Sequence, residues 1–212
     1  NDFQTDLQNL LHDTFKAHQR IIFNGNGYGE DWVQEAQRRG LSNLRDTVDC
    51  MPAYIDPKNI RLFAGHNILS ETEMRARYEI HLENYCKVTA IEASTLRDMV
   101  LRGILPAVNR YTADLTQAIL HKRELVVPCR VEEDLLQKLS ALTGSLYDTM
   151  AAINEAMDKA PDAEGGIDAA RYYREEIVRR MEEARQSIDQ LESLTAAKYW
   201  PYPTYADILF SV

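Results

Sequence analysis

The five histidines are the side chains of this sequence best suited to bind a metal or to move a proton near neutral pH. A di-metal carboxylate site in a helical bundle needs Glu-x-x-His pairs on facing helices. The residues three positions before the histidines are Asn9, Phe15, Phe63, Tyr78 and Ala118, and none of them is acidic. The motif is therefore absent, and the sequence predicts no metal ligand.

A second group of reactive side chains surrounds His81. Glu79, His81 and Glu83 alternate along a predicted helix, so their side chains point in different directions, which argues against a shared metal. Cys86 follows His81 by five residues, which places the two roughly 140° apart around a helix axis and argues against a nucleophile and base pair. No G-x-S-x-G, H-E-x-x-H, C-x-x-C or P-loop pattern occurs. We therefore assign no catalytic, cofactor-binding or metal-binding residue.

The segment Arg20–Gly29 contains two Asn-Gly pairs and one further glycine, which can supply positive φ at three positions and predict a tight, shaped loop. A phosphate-binding role is disfavoured because the spacing is G-x-G-x-G. In addition, Glu30 and Asp31 place negative charge at the helix N-terminus that a phosphate would need. We expect a turn that leads into a short helix.

The composition is typical of a helical domain with a substantial core. The 212 residues are 45% hydrophobic and 27% charged, and 33 acidic against 24 basic residues give a formal net charge of −9, which disfavours nucleic-acid binding. No apolar run is long enough to cross a bilayer and no signal peptide is recognisable, so we expect a cytoplasmic location without membrane contact. Cys50, Cys86 and Cys129 are widely spaced and predict buried free thiols.

The longest helical pattern runs from Ser70 to about Glu124, and Ser70 with Glu73 predicts a capping box at its start. Pro106 lacks an N–H and predicts a kink near Gly103; in the alternative, Gly103 ends one helix and Pro106 begins another. Apolar residues recur along one stripe at spacings that are sums of threes and fours: Met74, Tyr78, Leu82, Tyr85, Leu96, Met99, Val108, Tyr111, Leu115 and Ile119.

Shorter elements precede this helix, and Pro52 is expected to interrupt their pattern. The first is only about five turns long and must pack on another surface to persist. We expect residues 1–69 to form short helices with a Gly-rich connector loop, and residues 70–212 to form a long-helix bundle, together one structural unit. The predicted short helices are Asp2–Gln19, Glu30–Arg39, Leu41–Asp49 and, after an Asp56 N-cap, Pro57–Ala64.

Two more long helices follow an interruption at Leu125–Pro128. A heptad-like seam runs from Val131 to Met157, Ala160–Gly166 has the composition of a loop, and a last helix keeps one apolar face from Ala170 to Leu194. A short loop between long helices predicts an antiparallel hairpin. The predicted fold is therefore all-α: short N-terminal helices and a long, kinked helix packed with a helical hairpin, as an elongated three-helix bundle.

The C-terminal segment Tyr199–Phe210 is rich in aromatic and aliphatic residues. So apolar a segment is not expected to stay in water. We expect it either to fold back against the bundle or to cover a partner surface.

Several segments together resemble the C-terminal region of type III glutamine synthetases. The resemblance covers nearly the whole chain, and its first and last segments are the most specific. The segments are RIIFNGNGY (Arg20–Tyr28), WVQEAQRRGLSNLRDTVD (Trp32–Asp49), RYEIHLENYCKVTAIEASTLRDM (Arg77–Met99), ILPAVNRY (Ile104–Tyr111), RYYREEI (Arg171–Ile177) and YWPYPTYADILF (Tyr199–Phe210).

This resemblance implies a parent enzyme that uses ATP, with Mg²⁺ or Mn²⁺, to activate glutamate as γ-glutamyl phosphate, which ammonia attacks to give glutamine. The family's catalytic residues lie in a domain that would precede Asn1, so none is carried onto this chain. We expect an inactive C-terminal fragment with no cofactor of its own. The upstream catalytic domain and neighbouring subunits of a homo-oligomer would be its partners.

Two alternatives remain open. One is a stand-alone helical protein-interaction module, which the apolar seams and the missing catalytic motifs fit equally well. The other is a complete small enzyme with a site around Arg20 and the Asn24–Gly29 loop.

Overall fold

The computed structural model of the chain describes residues 2–210, except for the side chain of Tyr205, and every regular element in that range is helical. The all-α prediction is thereby confirmed. The chain divides after Cys50 into two compact units, here called the N-terminal unit (up to Cys50) and the helical unit (from Met51). This division precedes the boundary expected after residue 69, because α4 (Pro57–Gly65) packs against α5 (Glu71–Met99).

The N-terminal unit contains α1 (Phe3–Ala17) and α2 (Glu30–Arg38), both close to their predicted bounds. Gly40 follows α2 with φ +70°, a backbone conformation that favours glycine after a helix end. No residue of α1 is buried, so the packing that this helix was expected to need is not found among the described residues.

The predicted helix Leu41–Asp49 is wrong. The chain is irregular until α3 (Thr47–Tyr54), which contains Pro52 instead of ending before it. The reason is a local cap: the Asp49 N–H donates to the Asp46 carboxylate at 2.8 Å, and this bond satisfies a donor in the first turn of the helix.

The long helix is continuous from α5 through a π turn (Val100–Ile104) into α6 (Leu105–Glu124). Its start is the predicted capping box, in which the Glu73 N–H donates to Ser70 Oγ at 3.2 Å and the Ser70 N–H donates to Glu73 Oε2 at 2.8 Å. The alternative in which Gly103 ends a helix is wrong, because the wider π turn carries the helix past Pro106.

The last two long helices are α7 (Arg130–Asp158) and a run that begins with α8 (Gly166–Tyr172) and ends with α9 (Arg179–Leu194). A second π turn (Tyr173–Val178) joins α8 to α9. α7 packs along both α6 and α9, while α5 packs on α8 and on the second π turn. The helical unit therefore brings the long helix and the hairpin into direct contact.

The core of the helical unit consists mainly of long aliphatic side chains from α5, α6, α7, α9 and the two π turns. Its largest fully buried side chains are Met74, Leu82, Cys86, Val100, Val108, Leu139, Leu146, Met150, Ile153, Ile177 and Leu191.

All three cysteines are free thiols, as predicted, and Cys86 and Cys129 are buried. The prediction is wrong for Cys50, which is exposed on α3, where its Sγ–H donates to the Thr47 carbonyl at 3.3 Å. Burial raises the pKa of Cys86, which keeps that thiol protonated near neutral pH.

Candidate interaction surfaces

His81, the centre of the side-chain group considered for chemistry, makes a structural contact. His81 packs edge-on against Tyr54, with ring centroids 6.1 Å apart. Within residues 2–210, no group of three or more His, Cys, Asp or Glu side chains is placed to hold a metal ion. Across the same range, no helix is long and apolar enough to cross a membrane.

Arg39, the C-cap residue of α2, holds the glycine loop (Arg20–Gly29) in place. Its guanidinium donates to the backbone carbonyl of Arg20 at 3.1 Å and to that of Ile22, and it lies 6.0 Å from the centroid of the Phe23 ring. These contacts join the loop to α2. They also direct the guanidinium toward the loop's own backbone.

Glu35 positions Arg39 from one helical turn earlier. Its carboxylate accepts hydrogen bonds from the guanidinium groups of both Arg38 and Arg39. These two partners lower the pKa of Glu35 from 4.5 to about 2, so the carboxylate stays charged over the physiological range.

Within the glycine loop, the Phe23 ring packs on Trp32 with centroids 5.0 Å apart. The same ring lies over Gly25, where an added Cβ would fall 2.4 Å from the phenyl Cζ. The glycines were expected to supply positive φ, but among the described residues only Gly40 and Gly166 are glycines with positive φ. Gly25 is needed for space, not for backbone handedness.

The tip of the loop presents one aromatic side chain. The Tyr28 N–H donates to Asn26 Oδ1 at 3.0 Å, which fixes the backbone of the turn. The Tyr28 side chain is 100% exposed. The loop is therefore a shaped support for an aromatic side chain in solvent, an arrangement suited to contact with another surface.

A second surface lies in the helical unit, where the C-terminal tail (residues 198–210) begins by folding back onto the long helix. The Tyr199 ring packs on Tyr111 with centroids 5.1 Å apart, and its hydroxyl donates to the Asp114 carboxylate. The Lys198 ammonium lies 4.6 Å from the centroid of the Tyr199 ring. These contacts attach the start of the tail to α6.

Tyr202 attaches the tail again at the first π turn. Its hydroxyl donates to the Met99 carbonyl at 3.3 Å. An added Cβ at Gly103 would fall 2.5 Å from that hydroxyl oxygen, so the missing side chain of Gly103 makes room for Tyr202. Sequence reasoning did not find this role, because the two residues are far apart in the chain and no local pattern relates them.

A groove of about 490 Å³ lies between the end of α5, α9 and the tail, and both π turns border it, through Ile104 and Val178. Charged side chains enter it from one face of α9 alone: Glu182, Arg185, Asp189 and Glu192. Its remaining walls are mainly apolar and include Leu96, Met99, Met181, Ile188, Trp200 and Pro203. The tail residues Trp200, Tyr202, Pro203 and Ile208 thus form one wall of the groove.

The tail ends in α10 (Tyr205–Leu209), which starts with a capping box between Thr204 and Asp207. Ile208, Leu209 and Phe210 are all exposed, and Phe210 is 77% exposed. The first half of the apolar C-terminal segment therefore folds back on the helices, as the first of the two expected outcomes has it, while Leu209 and Phe210 face solvent. Contact of the segment with a partner surface stays a prediction.

Comparison with known proteins gives a consistent result. The family model described as glutamine synthetase C-terminal domain matches residues 6–123. A glutamine synthetase from Butyrivibrio fibrisolvens is 35% identical over 214 residues, which cover 100% of this chain and 31% of the relative. A type-3 glutamine synthetase from Dictyostelium discoideum is 31% identical over 217 residues, which cover 98% of this chain and 29% of the relative. A glutamine synthetase from Bacteroides fragilis (strain YCH46) is 29% identical over 208 residues, which cover 95% of this chain and 28% of the relative. The chain thus spans less than a third of the length of these curated relatives.

Proposed function

This chain belongs to the glutamine synthetase C-terminal domain family, and on that basis we propose that it is a non-catalytic helical region of a glutamine synthetase. In this role it supports the catalytic part of the enzyme or the assembly of its subunits. The parent reaction in this proposal is the ATP-dependent ligation of ammonia to glutamate, with Mg²⁺ or Mn²⁺ as the metal.

The contacts of two charged side chains, Arg39 and Asp114, support the non-catalytic part of the proposal. Transfer of a phosphoryl group needs metal-binding carboxylates and cations that are held toward a substrate. In this chain the Arg39 guanidinium is directed at backbone carbonyls, and the Asp114 carboxylate accepts a hydrogen bond from Tyr199. These groups hold loop and tail in shape.

The observation that carries the assembly role is the divided tail. Tyr199 and Tyr202 fix its first half to the long helix, Ile208 lines the groove, and the exposed side chains of Leu209 and Phe210 follow from that fixed base. An apolar cluster presented from an anchored segment is suited to an interface between subunits, where the entropy lost on ordering is smaller than for a free tail.

Removing the residues after Lys198 from the full-length enzyme tests this role, with mass photometry as the measurement. We expect the deleted enzyme to form smaller assemblies than the intact one. Leu209→Asp should act in the same direction, since it places a charge in the apolar cluster. Gln186→Asp, an exposed position on α9, is the matched control and should leave the assembly intact. An unchanged assembly in the deletion variant would refute the assembly role.

A stand-alone interaction module is the second candidate function, and the fully exposed Tyr28 on a shaped loop favours it. The gene decides between the two. A reading frame that continues upstream of Asn1 into sequence typical of a glutamine synthetase supports the first proposal. A start codon directly before Asn1 supports the second.

A further inference from the structure

α1 carries an apolar face that is left open in the structure. Its five large apolar side chains are between 41% and 76% exposed, and no residue of the helix is buried. At 100° per residue, they lie within one half of the helix circumference. The five residues, here called the α1 stripe, are Phe3, Leu7, Leu10, Leu11 and Phe15.

An isolated helix of this length is marginal in water, because most helical stability in proteins comes from packing of an apolar face. α1 has 15 residues and an N-cap at Asp2, whose carboxylate accepts from the Gln4 N–H at 3.4 Å. A cap of that kind does not replace tertiary packing. The α1 stripe therefore needs a partner surface.

The polar residues beside the stripe describe the chemistry of that surface. Asp6 and Asp13 are seven residues apart and border the stripe on the same side, while Gln8 borders the other side and Gln4 lies between Leu11 and Phe15. A complementary groove is apolar at its centre, basic along one side and neutral along the other.

The size of the stripe favours an occupant in the same polypeptide. Two exposed Phe and three exposed Leu side chains offer on the order of 500 Å², less than the roughly 800 Å² per partner of a standard interface between separate proteins. A covalent link raises the effective concentration of the two surfaces, so a small contact suffices within one chain. The curated relatives are more than three times as long as the matched segment, which leaves ample chain to form such a groove.

We propose that the α1 stripe docks into an apolar groove, basic along one side, on the catalytic part of the same glutamine synthetase polypeptide. This inference rests on the proposed function and adds to it the surface through which the helical region is attached. The docking is distinct from the subunit contact assigned to the C-terminal tail.

Hydrogen–deuterium exchange in the full-length enzyme tests whether the stripe is packed. Leu10→Ala removes a side chain from the centre of the stripe, yet alanine has a higher helix propensity than leucine, so faster exchange can only report lost packing. We expect the amides of residues 3–17 to exchange about tenfold faster in this variant. Asn9→Ala, on the opposite face, is the matched control and should not accelerate exchange. Equal exchange in the enzyme and in Leu10→Ala would overturn the proposal.

Photo-crosslinking identifies the occupant. With Leu10 replaced by p-benzoyl-phenylalanine in the full-length enzyme, we expect a crosslink that leaves the mass of one chain unchanged and maps outside the 212 residues of this chain. A product of twice the chain mass, or no product, would overturn docking within one polypeptide. The same substitution at Asn9 should give no specific crosslink.

These results are separable from a failure of the proposed function. If the full-length protein forms no glutamine, the proposed parent activity fails whatever the crosslink shows. If it forms glutamine and the Leu10 probe does not react within the chain, the docking of α1 alone is refuted.

Discussion

At the scale of single residues, two glycines are required because an aromatic ring lies where their side chain would be. Gly25 lies under Phe23, and Gly103 lies under Tyr202. Both contacts shape surfaces that we assign to interaction with other parts of an enzyme. Replacing each of these glycines by alanine, with a second glycine as a control, tests the two contacts.

Gly25→Ala should displace the Phe23 ring from Trp32, since the new methyl would lie 2.4 Å from the ring. We expect a loss of about 1–2 kcal/mol in the stability of the N-terminal unit, typical of overpacking. The fluorescence of Trp32 during urea unfolding measures it, with Trp200 replaced by Phe to remove its signal. Gly27→Ala is the control, because nothing lies within 4 Å of a Cβ there. Equal effects of the two substitutions would contradict the packing role of Gly25.

Gly103→Ala should release the tail from the first π turn, because the methyl would fall 2.5 Å from the Tyr202 hydroxyl. We expect faster tryptic cleavage after Lys198 in this variant. Gly144→Ala is the matched control: it lies in α7 with open space around it, and alanine should there stabilise the helix by about 0.5–1 kcal/mol. Unchanged cleavage in Gly103→Ala would contradict the contact with Tyr202.

At the scale of elements, the glycine loop depends on α2 through a carboxylate that is coupled to two guanidinium groups. The folded-state pKa of Glu35 is lowered to about 2 from the ordinary value of 4.5. A lowered pKa means that the contribution of Glu35 to stability is fully present above pH 4.5 and is lost as the pH falls toward 2.

We therefore predict that acid loosens the glycine loop over that window and that Glu35→Gln removes this part of the pH dependence. Hydrogen–deuterium exchange of residues 20–29, measured between pH 5 and pH 2.5 and corrected for the intrinsic rate, would show it. Glu30→Gln, at the exposed start of α2, is the control. The account is contradicted if Glu35→Gln retains the full pH dependence.

Elements with local sequence signals were predictable. The capping box of Ser70 and Glu73 and the N-cap at Asp56 satisfy backbone donors within a few residues, so their signals are contiguous in the chain. The helix placed at Leu41–Asp49 was wrong because the cap at Asp46 was missed. Local periodicity also did not reveal that Cys50 faces solvent.

Contacts between distant residues could not be predicted in this way. Arg39 bonds to the Ile22 carbonyl, and Tyr202 covers Gly103, although no spacing in the sequence relates these residues. The shape of the glycine loop and the attachment of the tail depend on such contacts, whereas the α1 stripe and the apolar end of the tail are local patterns in the sequence. The roles of Arg39 and Gly103 were therefore found only in the structure.

At the scale of the whole molecule, the chain has a well-packed helical unit and several apolar groups that face solvent. The exposed groups include the α1 stripe, Tyr28, the end of the tail and the turn before α7, where Val126 is 91% exposed. The relatives are more than three times as long as the matched segment, so a glutamine synthetase of that size offers the surfaces to cover them. Exposed apolar surface of this kind is expected of a region that works inside a larger assembly.

Glutamine formation from glutamate, ammonia and MgATP, assayed side by side on the full-length protein and on this 212-residue chain, is the decisive experiment for the non-catalytic role. A non-catalytic region of a glutamine synthetase predicts activity in the full-length protein and none in the chain alone. Glutamine formation by the chain alone, or none by the correctly assembled full-length protein, would contradict the account.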